Sequence, residues 1–390
     1  MRGAVSEVDD PRGPAFVGIA DRIARVGPIT FGTYVEAALS GPHGFFTRGS
    51  GAGRRADFLT SPELGPLFGA VVARALDVEW ERVVRPDPFV VVEAGAGRGA
   101  LAQAVLAAPP ACAPALRYVL AERSPVLRAA AEQLLVVEPA ANVLGGVGEE
   151  DEDGPPAAAL GVGPVVAVLD DLPATTFVGV VLANELLDNL PFDLVQRGEG
   201  GWDEVRVGVG VDGDHLVEVL VAASPYLAEE ATSLAPAAAP GARIPVQHAA
   251  RDWLGRALGI LHAGRVVLVD YADATPALAG RPQDEWLRTF RGHRRAGHPL
   301  EAPGTADITC EVAVDQLAVA RPPSSDRSQA SWLEAHGIGG LVDDARARWA
   351  AGAHVADLPA LAARSRVGEG DALVDPTGLG SFRVLEWQVR

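Results

Sequence analysis

Phe89-Val-Val-Val-Glu-Ala-Gly-Ala-Gly-Arg-Gly-Ala-Leu-Ala102 is the stretch from which the rest of the chain can be placed. Its first four residues are apolar and three are β-branched, the pattern of a strand buried on both faces of a parallel sheet. The run stops at Glu93 and enters a turn holding Gly95, Gly97 and Gly99, after which Ala100 to Ala108 has the composition of a helix. Strand, glycine turn and helix form the opening half of a nucleotide-binding βαβ unit. The glycines permit a tight turn and let a ligand approach where a Cβ would stand in the way. The spacing alone is a weak signal, because Gly95-x-Gly97-x-x-Ala100 also satisfies the relaxed dinucleotide fingerprint. Two acids tip the balance. Glu93, at the strand end, suits a cationic amino-acid tail and would repel a pyrophosphate. Glu122 closes the next apolar strand, Tyr118 to Ala121, where a carboxylate can accept from both ribose hydroxyls. The expected cofactor is S-adenosylmethionine, with NAD as the weaker alternative.

Working outward, Pro125 to Leu135 reads as a helix, and Val165 to Leu169 and Val178 to Leu182 as strands. Asp170 and Asp171 follow the first of these two strands and read either as contacts to the adenine amino group or as plain loop residues. Alternation between Phe192 and Val221, with a turn at Asp212-Gly213, predicts a β-meander. Arg265 to Tyr271 is another buried strand ending in an acid, and Phe382 to Val389 alternates as a terminal antiparallel strand. Residues 272 to 330 hold few long apolar runs and are expected to insert outside the sheet, while Ser328 to Gly337 reads as a short helix. The acidic run Glu149 to Asp153 reads as a solvated loop. Upstream, Phe16 to Val26 and Phe31 to Leu39 repeat apolar residues at helical spacing. Asp57-Phe-Leu-Thr-Ser-Pro-Glu-Leu64 opens a helix running to about Trp80, with Ser61 as N-cap, Pro62 at the first position and Glu63 in the first turn. Ser61 and Glu63 read either as this helix start or as cofactor contacts.

Composition narrows the class. A chain of 390 residues with 48% hydrophobic content can bury one large core with insertions, or two domains. All 33 basic residues are arginine, and the formal charge of −18 argues against nucleic acid while suiting a basic protein partner. Cys112 and Cys310 lie far apart and form neither a disulfide framework nor a metal pattern, so no metal is expected. No apolar run is long enough to span a bilayer, and the first ten residues lack the apolar centre of a signal peptide. The cytoplasm is the expected compartment.

A second constellation, Leu182-Ala-Asn-Glu-Leu-Leu-Asp-Asn-Leu-Pro191, stands where a strand runs out. In an open α/β sheet the carboxyl ends of the strands are where ligands sit, which places Asn184, Glu185 and Asp188 beside the glycine turn. Two carboxylates one helical turn apart share a face and can grip a planar cation through charge-assisted bonds. The alternative is that Asn184 caps a following helix and Glu185 supports its dipole. His293 could take up a proton near neutral pH, or could be a surface histidine among Arg291, Arg294 and Arg295.

Four blocks stand in order along the chain: Asp57 to Gly69, Glu93 to Leu101, Glu122-Arg-Ser-Pro-Val-Leu-Arg128 and Ala183-Asn-Glu-Leu-Leu-Asp-Asn-Leu-Pro191. Together with Leu268-Val-Asp-Tyr271, Arg288-Thr-Phe-Arg-Gly-His293 and Pro303-Gly-Thr-Ala-Asp-Ile-Thr309, they resemble the MidA-type S-adenosylmethionine-dependent methyltransferases. Mitochondrial relatives of that family assist respiratory complex I assembly by methylating an arginine. The resemblance implies an α/β fold with a seven-stranded Rossmann-like class I methyltransferase sheet, an N-terminal helical extension and inserted cap segments. Residues 1–80 would be the extension covering the cleft, 81–271 the cofactor-binding core with the meander inserted near 192–221, 272–330 an acceptor-side cap, and 331–390 the last helices and strand. It implies methyl transfer to a protein arginine, with Glu93 and the glycine turn on the methionine tail and Glu122 on the ribose. Glu185, Asp188, Asn184 and His293 would serve the acceptor. The partners implied are a protein acceptor and, as an option, a second copy of the chain. The rival from another class is a non-catalytic assembly protein that keeps the cofactor fold as a binding platform.

Overall fold

The apolar run at Phe89 forms strand β1, Phe89–Ala94, and all six of its residues are buried. The architecture is that of a computed structural model that describes residues 12–49, 60–144, 159–292 and 294–390. Asp57 and Phe58, the acidic run Glu149 to Asp153 and His293 lie outside the described residues. The chain divides into two compact units. One takes the described residues of Leu59–Glu185 with Arg256–Asp270 and Pro323–Arg390; the other takes those of Met1–Phe58 with Leu186–Gly255 and Tyr271–Pro322.

The first of these carries the large sheet. Beside β1 its strands are β2, Leu116–Ala121, β3, Val165–Leu169, β4, Phe177–Asn184, β5, Leu261–Asp270, β6, Ser325–Ser328, and β7, Arg383–Val389. The order across the sheet is β6-β7-β5-β4-β1-β2-β3. β7 runs antiparallel to both its neighbours, and the pairs among β1 to β5 are parallel. This is the expected seven-stranded methyltransferase sheet. The strand order reverses between β1 and β4, which is the switch point where an open α/β sheet leaves a crevice for ligands. β5 begins at Leu261, earlier than the apolar pattern suggests, because the exposed His262 and half-buried Arg265 interrupt that pattern.

Around the sheet lie helices α1, Pro66–Arg82, α2, Ala100–Ala107, α3, Pro125–Leu134, α4, Gln329–Ala335, α5, Ile338–Gly352, and α6, Leu358–Val374. The single helix expected from residue 57 to 80 is two pieces, a turn at Ser61–Leu64 and then α1, parted at Gly65. The backbone there passes against the Glu369 carboxylate, and a Cβ on Gly65 would stand 2.2 Å from its Cδ. That carboxylate, on α6, accepts the Leu67 N–H at the start of α1 at 3.2 Å, so the break lets a side chain cap the second helix. Glu386 on β7 is a second buried anchor. It pairs with Arg265 at 2.8 Å and Arg327 at 2.7 Å, which ties β5 and β6 to β7.

The other unit is built on an antiparallel sheet. The alternating segment forms Asp193–Arg197, Trp202–Val209 and Leu216–Ala222, joined by Ile29–Thr30 and Arg243–Val246. Helices Phe16–Val26 and Phe31–Ser40 supply Phe16, Ile19, Phe31 and Tyr34 to a core shared with Phe192, Leu194, Val205, Val207, Trp286 and Ile308. Phe31 and Phe192 meet at a tilt, with ring centroids 5.4 Å apart. Residues beyond Tyr271 add a three-stranded sheet, Leu287–Arg291, Arg294–Arg295 and Asp307–Cys310. Cys112 and Cys310 are buried free thiols, and burial, followed by the Asp77 carboxylate, pushes the Cys112 thiol up.

Candidate active site

Every strand end that borders the switch point carries a polar residue named from the sequence. After β1 the chain turns through Gly95, Gly97 and Gly99, with φ of 68°, 56° and 81°. Such left-handed values favour glycine. The Gly95 N–H donates to Ala121 O at 2.8 Å, which ties the turn to the end of β2, and Gly99 caps α2. A Cβ at Gly97 would meet no protein atom within 4 Å, so the space beside this residue is open. Gly99 differs: its Cβ would press on Leu120 Cδ2 at 3.0 Å and Leu135 Cδ1 at 3.2 Å, a packing requirement.

Glu122 closes the turn from the next strand end. Its Oε2 accepts the Gly97 N–H at 2.9 Å and its Oε1 accepts the Ser124 N–H at 2.8 Å. The carboxylate is 7% exposed, and burial raises its pKa against these two donors. Glu122 therefore shapes the glycine turn. Glu93 is more deeply set, at 5% exposure, and its Oε2 accepts the Tyr118 hydroxyl at 2.7 Å. Burial pushes its pKa up to about 8 in spite of that bond. Neither the phenol nor its partner was legible in the chain as a pair, because they are 25 residues apart and meet only through strand register.

Across the crevice, β4 ends at Asn184, one residue beyond the Ala94–Ala183 pair and so level with Gly95. Glu185 follows at φ 50°, a left-handed conformation that a non-glycine residue adopts at a cost, and one that clusters at functional sites. Its N–H donates to Val269 O at 2.8 Å, and its Oε1 accepts the Asn184 Nδ2 at 3.2 Å. The Asn184 Oδ1 is a buried acceptor without a partner among the described residues. No helix starts here. The expected helical turn placing Glu185 and Asp188 on one face is absent, since a three-residue 3-10 turn, Leu187–Asn189, follows instead. Asp188 belongs to the other unit, where it is 3% exposed; burial drives its pKa to about 7, with the Arg288 charge opposing.

Of the remaining candidates, Asp171 and Ser61 have structural partners. Asp171 lies past β3, is exposed, and pairs with Arg256 at 2.6 Å, while Asp170 beside it is exposed as well. The Ser61 hydroxyl is fully buried and donates to Gln329 Oε1 at 3.0 Å. It is the first residue of its helical turn; Thr60 takes the N-cap place expected of Ser61. Glu63 is half-buried in that turn. Among the described residues, Asp212, Asp214 and His215 form an exposed acidic group on a hairpin, and no helix is long and apolar enough to cross a membrane.

Known proteins resemble this chain in sequence and in fold. Residues 71–325 match the family described as "Putative S-adenosyl-L-methionine-dependent methyltransferase". Among curated proteins, the chain is 28% identical over 79% of its length to the mitochondrial protein arginine methyltransferase NDUFAF7 homolog of Drosophila melanogaster, covering 70% of that protein. The human mitochondrial protein arginine methyltransferase NDUFAF7 is 25% identical over 79% of this chain and 69% of its own. A crystal structure from Burkholderia thailandensis bound to S-adenosyl-homocysteine superposes with a TM-score of 0.76 at 26% identity, covering 100% of this chain and 95% of the other. With the sheet order, the acid-flanked glycine turn and these matches in agreement, the chain belongs to the MidA-type family of S-adenosylmethionine-dependent methyltransferases.

Proposed function

We propose that this methyltransferase alkylates a guanidinium nitrogen of a protein arginine. The observation that carries the reading is the Asn184–Glu185 corner, held at φ 50° on the strand facing the glycine turn across the switch point. The cofactor, when bound, supplies an electrophilic methyl group on a positive sulfur. Gly97 leaves the room its methionine portion would need, Glu93 offers a counter-charge for the amino group, and Glu122 faces the ribose. What remains for the protein is alignment, since displacement at a methyl carbon is chiefly a matter of placing the two reactants in line. As the new N–C bond forms, the S–C bond breaks with its electron pair left on sulfur, and the alkylated nitrogen gives up one proton to water. The Glu185 carboxylate is suited to orienting a planar cation by charge-assisted hydrogen bonds, and the Asn184 Oδ1 to accepting one of its N–H groups. The relatives named as protein arginine methyltransferases support the same acceptor. A net charge of −18 suits a basic segment of a partner.

The test is transfer of a labelled methyl group from S-adenosylmethionine into lysate of cells lacking the protein, followed by acid hydrolysis. Methylated arginine in a single polypeptide supports the reading. Label confined to small molecules, nucleic acid or another side chain overturns it.

A further inference from the structure

We propose that Tyr118 is a positioning residue for the cofactor, its hydroxyl holding the Glu93 carboxylate in place beneath the glycine turn. The inference rests on the reading of Glu93 as the counter-charge for the cofactor's amino group. Tyr118 lies in β2 opposite Val91 of β1, so its ring is the diagonal neighbour of Glu93, two residues further along the same face. Both side chains are buried, and the O–H donates to Oε2 at 2.7 Å. The Ala102 N–H in the first turn of α2 is a second donor to the same carboxyl group.

The surroundings make this one hydroxyl influential. Leu182, opposite Glu93 on β4, is apolar, and α2 carries no ionisable residue. Burial disfavours ionisation of Glu93, and the charge of Glu122 adds to it. Tyr118 and the Ala102 N–H work against both. An ammonium group approaching the turn calls for an ionised carboxylate, so cofactor binding at neutral pH expels a proton from Glu93. The phenol lowers the work of that step and fixes the direction in which the charge points.

Calorimetric titration with S-adenosylmethionine between pH 6 and 9 tests this, run in two buffers of different ionisation heat to count protons. The native protein should bind more tightly as pH rises from 6 towards 8 and release protons on binding at pH 7. Tyr118→Phe, which removes a single oxygen, should weaken binding about tenfold at pH 7, as losing a bond to a charged group does. It should also move the midpoint of the affinity profile to higher pH. Glu93→Gln should bind weakly and lose the proton release at pH 7 together with the share of the pH dependence that Glu93 contributes. If Glu93→Gln binds like the native protein, the reading of Glu93 itself fails. If Glu93→Gln is impaired while Tyr118→Phe keeps native affinity and midpoint, only the role of Tyr118 is overturned. A Tyr118→Phe protein with a lowered melting temperature and an unmoved midpoint also counts against it, since that is what a purely structural tyrosine would give.

Discussion

Replacing Gly97 separates room left for a ligand from a requirement of the fold. At φ 56° an alanine pays for the left-handed backbone, about 1–2 kcal/mol, but meets no protein atom within 4 Å. The Glu122 bond to its N–H, at 2.9 Å, is a backbone contact and survives the change. Gly97→Ala should therefore fold, with a melting temperature lowered by only a few degrees. The methyl group projects into the space assigned to the cofactor. Overfilling a packed contact by one carbon costs roughly 1–3 kcal/mol, which is about 5- to 150-fold in Kd. Gly97→Val should abolish measurable binding. The assay is calorimetric titration with S-adenosylmethionine and S-adenosylhomocysteine beside a thermal melt on the same preparation. Gly99→Ala is the control: its Cβ presses on Leu120 and Leu135, so the loss should fall on stability. A folded Gly97→Val protein with native affinity would refute the placement of the cofactor at this turn.

Glu185→Gln should leave cofactor affinity near native and cut turnover about 100-fold or more, the scale of losing an oriented electrostatic partner; native turnover per folded molecule would remove the arginine-gripping role. Gly65→Ala should displace the Glu369 carboxylate from the Leu67 N–H and cost about 1–2 kcal/mol, as loss of a helix cap does. In a Glu369→Ala background the same change should cost little more, and full additivity in urea melts would show that the two do not interact. Glu93 has its folded pKa raised from an ordinary 4.5 to about 8, so the folded chain holds more protons than the unfolded one across that window. The cofactor-free protein should accordingly lose stability from this group as pH rises from about 4.5 to 8, and Glu93→Gln should flatten that part of a melting-temperature profile. Glu386 has the opposite sign: its pKa is lowered against burial by Arg327 and Arg265, so its contribution is present above the ordinary carboxylate range and lost as pH falls through its folded value. An acid melt of Glu386→Gln should begin from a lower plateau and show a shallower loss.

What the sequence determined by itself was everything written in short-range pattern. The runs Phe89 to Val92 and Tyr118 to Ala121 are apolar because strands inside a parallel sheet are covered on both faces. The glycine turn shows in its spacing because it needs left-handed backbone at three positions. The acids that close β1 and β2 stand out because a charge at the end of an apolar run is improbable without a role. Tertiary structure decided the rest. Strand β6, Ser325-Asp-Arg-Ser328, completes the sheet with no apolar pattern at all, since a half-exposed edge strand is held by its ladder and by Arg327 on Glu386 rather than by burial. The break at Gly65 depends on the carboxylate of Glu369, near the far end of the chain. The helix imagined over Glu185 and Asp188 gives way to a left-handed corner, because the Glu185 N–H is claimed by Val269 on a neighbouring strand. Tyr118 looked like one more apolar strand residue, and register alone brought its hydroxyl to Glu93. Local pattern records which faces must be dry; which polar groups then meet is set by contacts between residues far apart in the chain.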